Sequence, residues 1–202
     1  MKPTPLLVIP LLAACVPELT TPPGAEGGAT SGLDWEAPEN SWEAAELLPG
    51  DLAPEGFREG EVIPDVRLID QNGDTVSLWQ FYGQVIAIDV STMWCGPCQG
   101  LAKEIDEVWE SYREDGFTYV TMLPENRSGQ TPTVADLQSW ADTHTITAPI
   151  LSDDYGYAYE IEPNQAWPRV VVVGRDLKVR VNPVVPAEDA AIREAVEAAL
   201  AD

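Results

Sequence analysis

Histidine and cysteine are almost missing from this chain of 202 residues, which holds one histidine, His144, and three cysteines, Cys15, Cys95 and Cys98. A structural zinc site takes four nitrogen or sulfur ligands. Cys95 and Cys98 supply half of such a set and nothing supplies the rest, so no metal and no bound cofactor is expected. Positive charge is scarce as well: 11 Lys and Arg against 34 Asp and Glu leave a net charge of −23. That balance argues against nucleic acid as a partner and against unaided adsorption to anionic lipid. Long apolar runs are absent too, since Leu6 to Leu12 is too short to cross a bilayer as a mature helix. No internal repeat is visible.

What is present is concentrated in Trp94-Cys95-Gly96-Pro97-Cys98. Upstream, Val85 to Val90 has the character of a buried parallel strand, and downstream Leu101, Ile105, Val108 and Tyr112 recur at helical spacing. The cysteine pair therefore opens a helix. A thiol there meets unpaired backbone N–H groups and the positive end of the helix dipole, both of which favour thiolate. This assigns Cys95 as the nucleophile and Cys98, one turn further in, as the resolving thiol. Pro97 in the first turn loses no hydrogen bond and stiffens the site. A purely structural disulfide is the plainer alternative, although so short a loop constrains the unfolded chain little.

The N-terminus reads as an export signal: Lys2, the apolar stretch Leu6 to Leu12, then small residues. Its ending, Leu12-Ala13-Ala14-Cys15, resembles the lipobox of bacterial lipoproteins, which implies cleavage after residue 14 and lipidation of Cys15. The alternative is an ordinary secretory signal with Cys15 a stray thiol. Residues 15–54, rich in Pro, Gly, Thr, Glu and Ala, read as a flexible linker, because they bury too little surface to offset their ordering entropy. Trp35, Trp42, Leu47 and Leu48 are exceptions that either dock on the domain or form a short helix at Ser41 to Leu48.

Residues 55–202 have the length of one domain. A hairpin is expected from Val66-Asp70 and Thr75-Leu78 around Asn72-Gly73. Further strands are expected at Phe117–Leu123, Val170–Val173 and Lys178–Val181, and helices at Thr133–Thr143, Tyr155–Glu160 and Ala187–Ala201. The fold class is α/β, a three-layer sandwich with a central mixed β-sheet and an N-terminal β-hairpin extension.

From about Glu61 to Ala201 the chain resembles the thioredoxin superfamily, in particular the extracytoplasmic redoxins that include the cytochrome c maturation reductases. The carriers are Pro64-Asp65-Val66-Arg67-Leu68 with the Asn72-Gly73 hairpin, the Trp94-Cys95-Gly96-Pro97-Cys98 site, and Trp167-Pro168 before the Val170 strand. The resemblance implies that Pro168 is cis and packs beside the cysteines, and that Asp89, six residues before Cys95, is a buried acid exchanging protons with Cys98. Burial would raise its pKa. The plainer readings are a trans proline at a strand start and a strand-end carboxylate facing water. Trp94 is expected to cover the disulfide, and Trp94, Gly96, Pro97, Trp167 and Pro168 to form the substrate surface, with Trp167 narrowing its groove. His144 is expected to face solvent after a helix.

The Gly-Pro dipeptide implies a reductant. The expected activity is a membrane-anchored thiol-disulfide oxidoreductase outside the cytoplasm, a monomer that meets disulfide-containing proteins and a thiol electron donor. Two alternatives stand beside it. Peroxiredoxins resemble a Pro-x-x-x-Thr-x-x-Cys pattern, which this chain meets at Thr92 and breaks at Ile88. The other is a thioredoxin-like binding module without catalysis.

Overall fold

The computed structural model describes residues 35–202, so the expected signal, Cys15 and the first part of the linker lie outside the described residues. The Asn72-Gly73 hairpin joins β1 (Arg67–Asp70) to β2 (Thr75–Ser77). One carboxylate shapes its turn. Asp70, fully buried, accepts the backbone N–H of Asn72 at 2.8 Å and of Asp74 at 2.9 Å. Gly73 sits at φ +86°, which is open to a residue without Cβ.

β3 (Val85–Val90) is buried at every position, as a continuous apolar run in mid-sheet requires. It runs parallel to β4 (Phe117–Leu123), which in turn runs parallel to β5 (Ile150–Ser152). On its other side β3 pairs antiparallel with β6 (Arg169–Val173), and β6 with β7 (Val179–Val181). The mixed sheet has seven strands in the order β2-β1-β5-β4-β3-β6-β7. β5 was not expected, because three residues are too few to show a period.

The helices are α1 (Gly96–Leu101), α2 (Ile105–Tyr112), α3 (Val134–His144), α4 (Tyr157–Ile161) and α5 (Asp189–Leu200). The single helix expected after Cys95 is two. Lys103 and Glu104 donate to the carbonyls of Gly100 and Leu101, three residues back, and the α-helical ladder restarts at Ile105. Two glycines and a proline in six residues make α1 a weak helix on its own. His144 also departs from expectation: it is the last residue of α3, half-buried, with its ring 4.3 Å from that of Trp140. Burial holds its pKa below the usual value.

Ile105, Val108, Leu137, Trp140, Ile192 and Val196 from α2, α3 and α5 cover one face of the sheet. The other face carries Ile86, Ile88, Val120 and Val171 and is covered by α4, a 3-10 turn at Leu78–Phe81, and Leu52 to Val66 of the N-terminal segment. The third layer is therefore largely irregular chain.

Part of that layer comes from the stretch expected as linker. Trp35, Trp42 and Leu48 pack against the core and Leu52 is buried within it. Trp42 Nε1 donates to Asp70 at 2.7 Å, Asn40 Nδ2 to the Thr75 carbonyl at 2.8 Å, and the Ala45 N–H to the Gln80 carbonyl at 2.7 Å. Docking is realised for Trp35, Trp42 and Leu48, whereas Leu47 stays exposed, and no helix forms at 41–48. The sheet face needs apolar cover, and these side chains provide it. A chain starting at Glu55 is therefore expected to be less stable than one starting at Trp35 by about 2–4 kcal/mol, from the loss of one buried leucine and two half-buried tryptophans. Urea midpoints of the two truncations measure this, and equal midpoints would show that the strap contributes nothing.

Candidate active site

Cys95 stands where β3 hands over to α1, and it is the N-cap residue of that helix: its Sγ accepts the Cys98 N–H at 3.2 Å. A sulfur in that position carries negative charge at lower cost than one in water, because an N–H already points at it. Cys95 and Cys98 are joined in a disulfide with Cα atoms 5.3 Å apart. The two sulfurs are unequally placed: Cys95 is 6% exposed and Cys98 not at all. Gly96 and Pro97, between them, are exposed.

β6 brings the second part of the site. Its first residue, Arg169, pairs with Val90 at the end of β3, so the preceding Trp167-Pro168 bond reaches the cysteines. That bond is cis, and the Trp167 carbonyl oxygen lies 3.7 Å from Cys95 Sγ. The loop is held from behind by Glu162, nearly buried, which pairs with Arg169, whose Nε donates to Asn182 Oδ1 at 2.9 Å. Trp94, Cys95, Gly96, Pro97 and Trp167 line one shallow groove of about 340 Å³. Trp167 thus stands in a wall of that groove.

Asp89 is completely buried on β3, and the desolvation of its carboxylate pushes the pKa up to about 7, against a smaller opposing effect of the Ser91 hydroxyl. Ser91 Oγ donates to Oδ1 at 2.7 Å, and Oδ2 has no partner. Neither oxygen bonds directly to a sulfur. The reading of Asp89 as a carboxylate facing water is overturned by its burial.

Two residues of the site escaped the sequence reading. Glu125 lies two residues beyond β4 and accepts Trp94 Nε1 at 2.6 Å on one oxygen and the Tyr159 hydroxyl at 2.9 Å on the other. Tyr159 in turn meets the Trp167 ring edge-on at 6.1 Å, and burial together with Glu125 pushes its pKa up to about 12. Trp94 is accordingly tethered by its indole nitrogen and is 51% exposed, a surface wall and not part of the core. A signal for Glu125 did exist: β3 and β4 are parallel neighbours, so the residues after both strands meet at one end of the sheet.

A model of the AhpC/TSA family matches residues 60–182, well over half of the chain and inclusive of every site residue just described. The chain belongs to the AhpC/TSA family. No curated protein is significantly similar to this AhpC/TSA member. Among solved structures, a candidate thiol:disulfide interchange protein DsbE from Chlorobium tepidum is 22% identical, with 72% of this chain and 99% of that one covered at a TM-score of 0.61. The thioredoxin domain of a thiol-disulfide oxidoreductase from Bacteroides vulgatus is 18% identical, over 71% and 98% of the two chains, at 0.59. A secreted Mycobacterium tuberculosis disulfide oxidoreductase described as homologous to E. coli DsbE is 19% identical, over 66% and 96%, at 0.53. These likenesses establish a thioredoxin-like fold, and the family is one of thioredoxin-like redox proteins.

Proposed function

We propose that this AhpC/TSA protein reduces protein disulfides through a cycle of Cys95 and Cys98. The observation that carries the reading is the disulfide between a cysteine capping a helix and one buried a turn further on, facing a cis-proline loop. In the reduced protein Cys95 thiolate attacks one sulfur of a substrate disulfide, and the other substrate sulfur leaves as thiolate and takes up a proton. Asp89, with Oδ2 free, accepts the proton of Cys98. The Cys98 thiolate then attacks Cys95 Sγ, releasing the second substrate thiol and restoring the intramolecular disulfide. Two electrons have passed to the substrate, and an external dithiol returns them.

Membership of a redox family leaves more than one electron acceptor open, and the residues favour the disulfide. Ile88 stands where the peroxidase pattern has proline, and the sulfur that would attack peroxide is paired with a neighbour three residues away. With dithiothreitol as donor, the protein is expected to reduce insulin and to turn over hydrogen peroxide far more slowly. Faster peroxide consumption would reverse the assignment.

The proposed place of action is the outer side of a bacterial membrane, with Cys15 as lipid anchor; support comes from the lipobox-like Leu12-Ala13-Ala14-Cys15. Among the described residues no helix is long and apolar enough to cross a membrane. Cys15→Ala is expected to move the protein from the detergent phase to the aqueous phase or to leave it unprocessed. A wild-type chain found entirely in the aqueous phase would refute the anchor.

A further inference from the structure

A second cavity adjoins the Trp94 groove at Pro97, which lines both. It is an open groove of about 660 Å³ between α1 and the loop leading into α5. Its apolar lining is Pro97, Leu101, Pro168 and Pro186, and Glu104 and Glu188 line it as well. Pro97 lines both this groove and the one at the cysteines, and Pro168 follows Trp167 of the latter, so a segment bound here lies beside a sulfur bonded to Cys95.

The charge of the lining is specific in sign. A third acid, Asp189, also lines the groove, but Arg193 neutralises it at 2.8 Å, and that arginine is drawn towards α2 by Ser111 at 3.0 Å and Glu107 at 3.4 Å. Glu104 and Glu188 are exposed and form no ion pair with any described residue. No lysine or arginine lines the groove. An apolar lining beside two uncompensated carboxylates complements a chain segment with apolar residues to bury and a cationic side chain to pair with them.

We propose that Glu104 and Glu188 select target proteins whose reactive cysteine is flanked by apolar residues and by lysine or arginine. This rests on the disulfide-reductase reading above and gives it a substrate class. Acidic flanks would be disfavoured in the same groove, because two like charges would face each other across an apolar surface. The selectivity belongs to the site and not to the net charge of the whole chain. At about 0.15 M salt the screening length is about 8 Å, so carboxylates at the other end of the sheet contribute little to a segment bound at Pro168.

Two synthetic peptides closed by an internal disulfide test this, identical except that lysine or glutamate flanks the cysteines. Their reduction by the full-length protein is followed at about 0.15 M salt with kcat/KM as the readout. The lysine peptide is expected to be reduced about 5-fold more efficiently, and the Glu104→Gln/Glu188→Gln variant to bring that ratio below about 2, as the modest worth of exposed ion pairs allows. Glu114→Gln/Asp115→Asn removes the same charge just before β4, at the end of the sheet away from the cysteines, and is expected to keep the wild-type ratio. Equal rates for the two peptides in the wild type would overturn the proposal, as would equal loss of the ratio in both double variants. If the wild type reduces neither peptide, the reductase reading itself fails and this inference with it, an outcome distinct from equal rates.

Discussion

Insulin reduction is expected to fall on the order of 1,000-fold or more in Cys95→Ser, because a serine hydroxyl is not ionised at neutral pH and cannot replace a thiolate held by the Cys98 N–H. Cys98→Ser is expected to behave differently. Cys95 still attacks, but nothing displaces the substrate, so the protein accumulates as a mixed disulfide after one turnover. Non-reducing gels and intact mass measure both outcomes. The asymmetry follows from position: Cys95 is the sulfur with residual exposure at the groove, whereas Cys98 is sealed beneath the first turn of α1. Trapping through Cys95→Ser in place of Cys98→Ser would invert the roles assigned here.

The second large effect concerns Asp89. Its carboxyl has an ordinary value of 3.8 and is pushed up to about 7 by burial. Between those values the unfolded chain is ionised at this position while the folded one holds its proton, so unfolding releases a proton and rising pH favours it. The direction is therefore a loss of stability as pH climbs from about 4 to 7, complete above 7. A shift of this size corresponds to roughly 4 kcal/mol at 1.36 kcal/mol per unit. Asp89→Asn, which cannot ionise, is expected to recover a large part of that at pH 8 and none of it below pH 4. Denaturant midpoints of the oxidised protein at the two pH values decide the matter, and a gain of equal size at both would mean that the carboxylate is not the source. The same variant is expected to slow insulin reduction and to flatten its pH dependence near 7, since the buried proton acceptor is gone.

Much of the fold was legible because it is locally specified. The apolar run of β3, the Asn72-Gly73 turn and the helix expected at Thr133–Thr143 each involve residues within a few positions of one another, and all appear close to where the sequence places them. The break between α1 and α2 was less visible, since the apolar period runs through it unchanged and only the hydrogen-bond ladder shifts. Residues 35–54 were read by composition as tether. Its tryptophans and leucines stood out as exceptions, but whether they dock depends on a sheet face assembled from residues far along the chain.

At the candidate site the sequence by itself determined the cysteine pair at a strand-to-helix junction with proline between, while Asp89 and Pro168 were singled out by the resemblance to thioredoxins. The cysteine pair is a property of residue type and short spacing, and it needs no partner to be recognised. Tertiary structure decided what surrounds that chemistry. Glu125 becomes the bridge between Trp94 and Tyr159 only because β3 and β4 end side by side, and Trp167 reaches Cys95 only because β6 pairs with β3. Glu104 and Glu188, separated by most of the domain in sequence, come to one groove because the loop into α5 returns beside α1. Side-chain spacing along a chain carries information over a turn or two of helix; contacts across a sheet depend on which strands pair, and that is settled by burying the whole core at once.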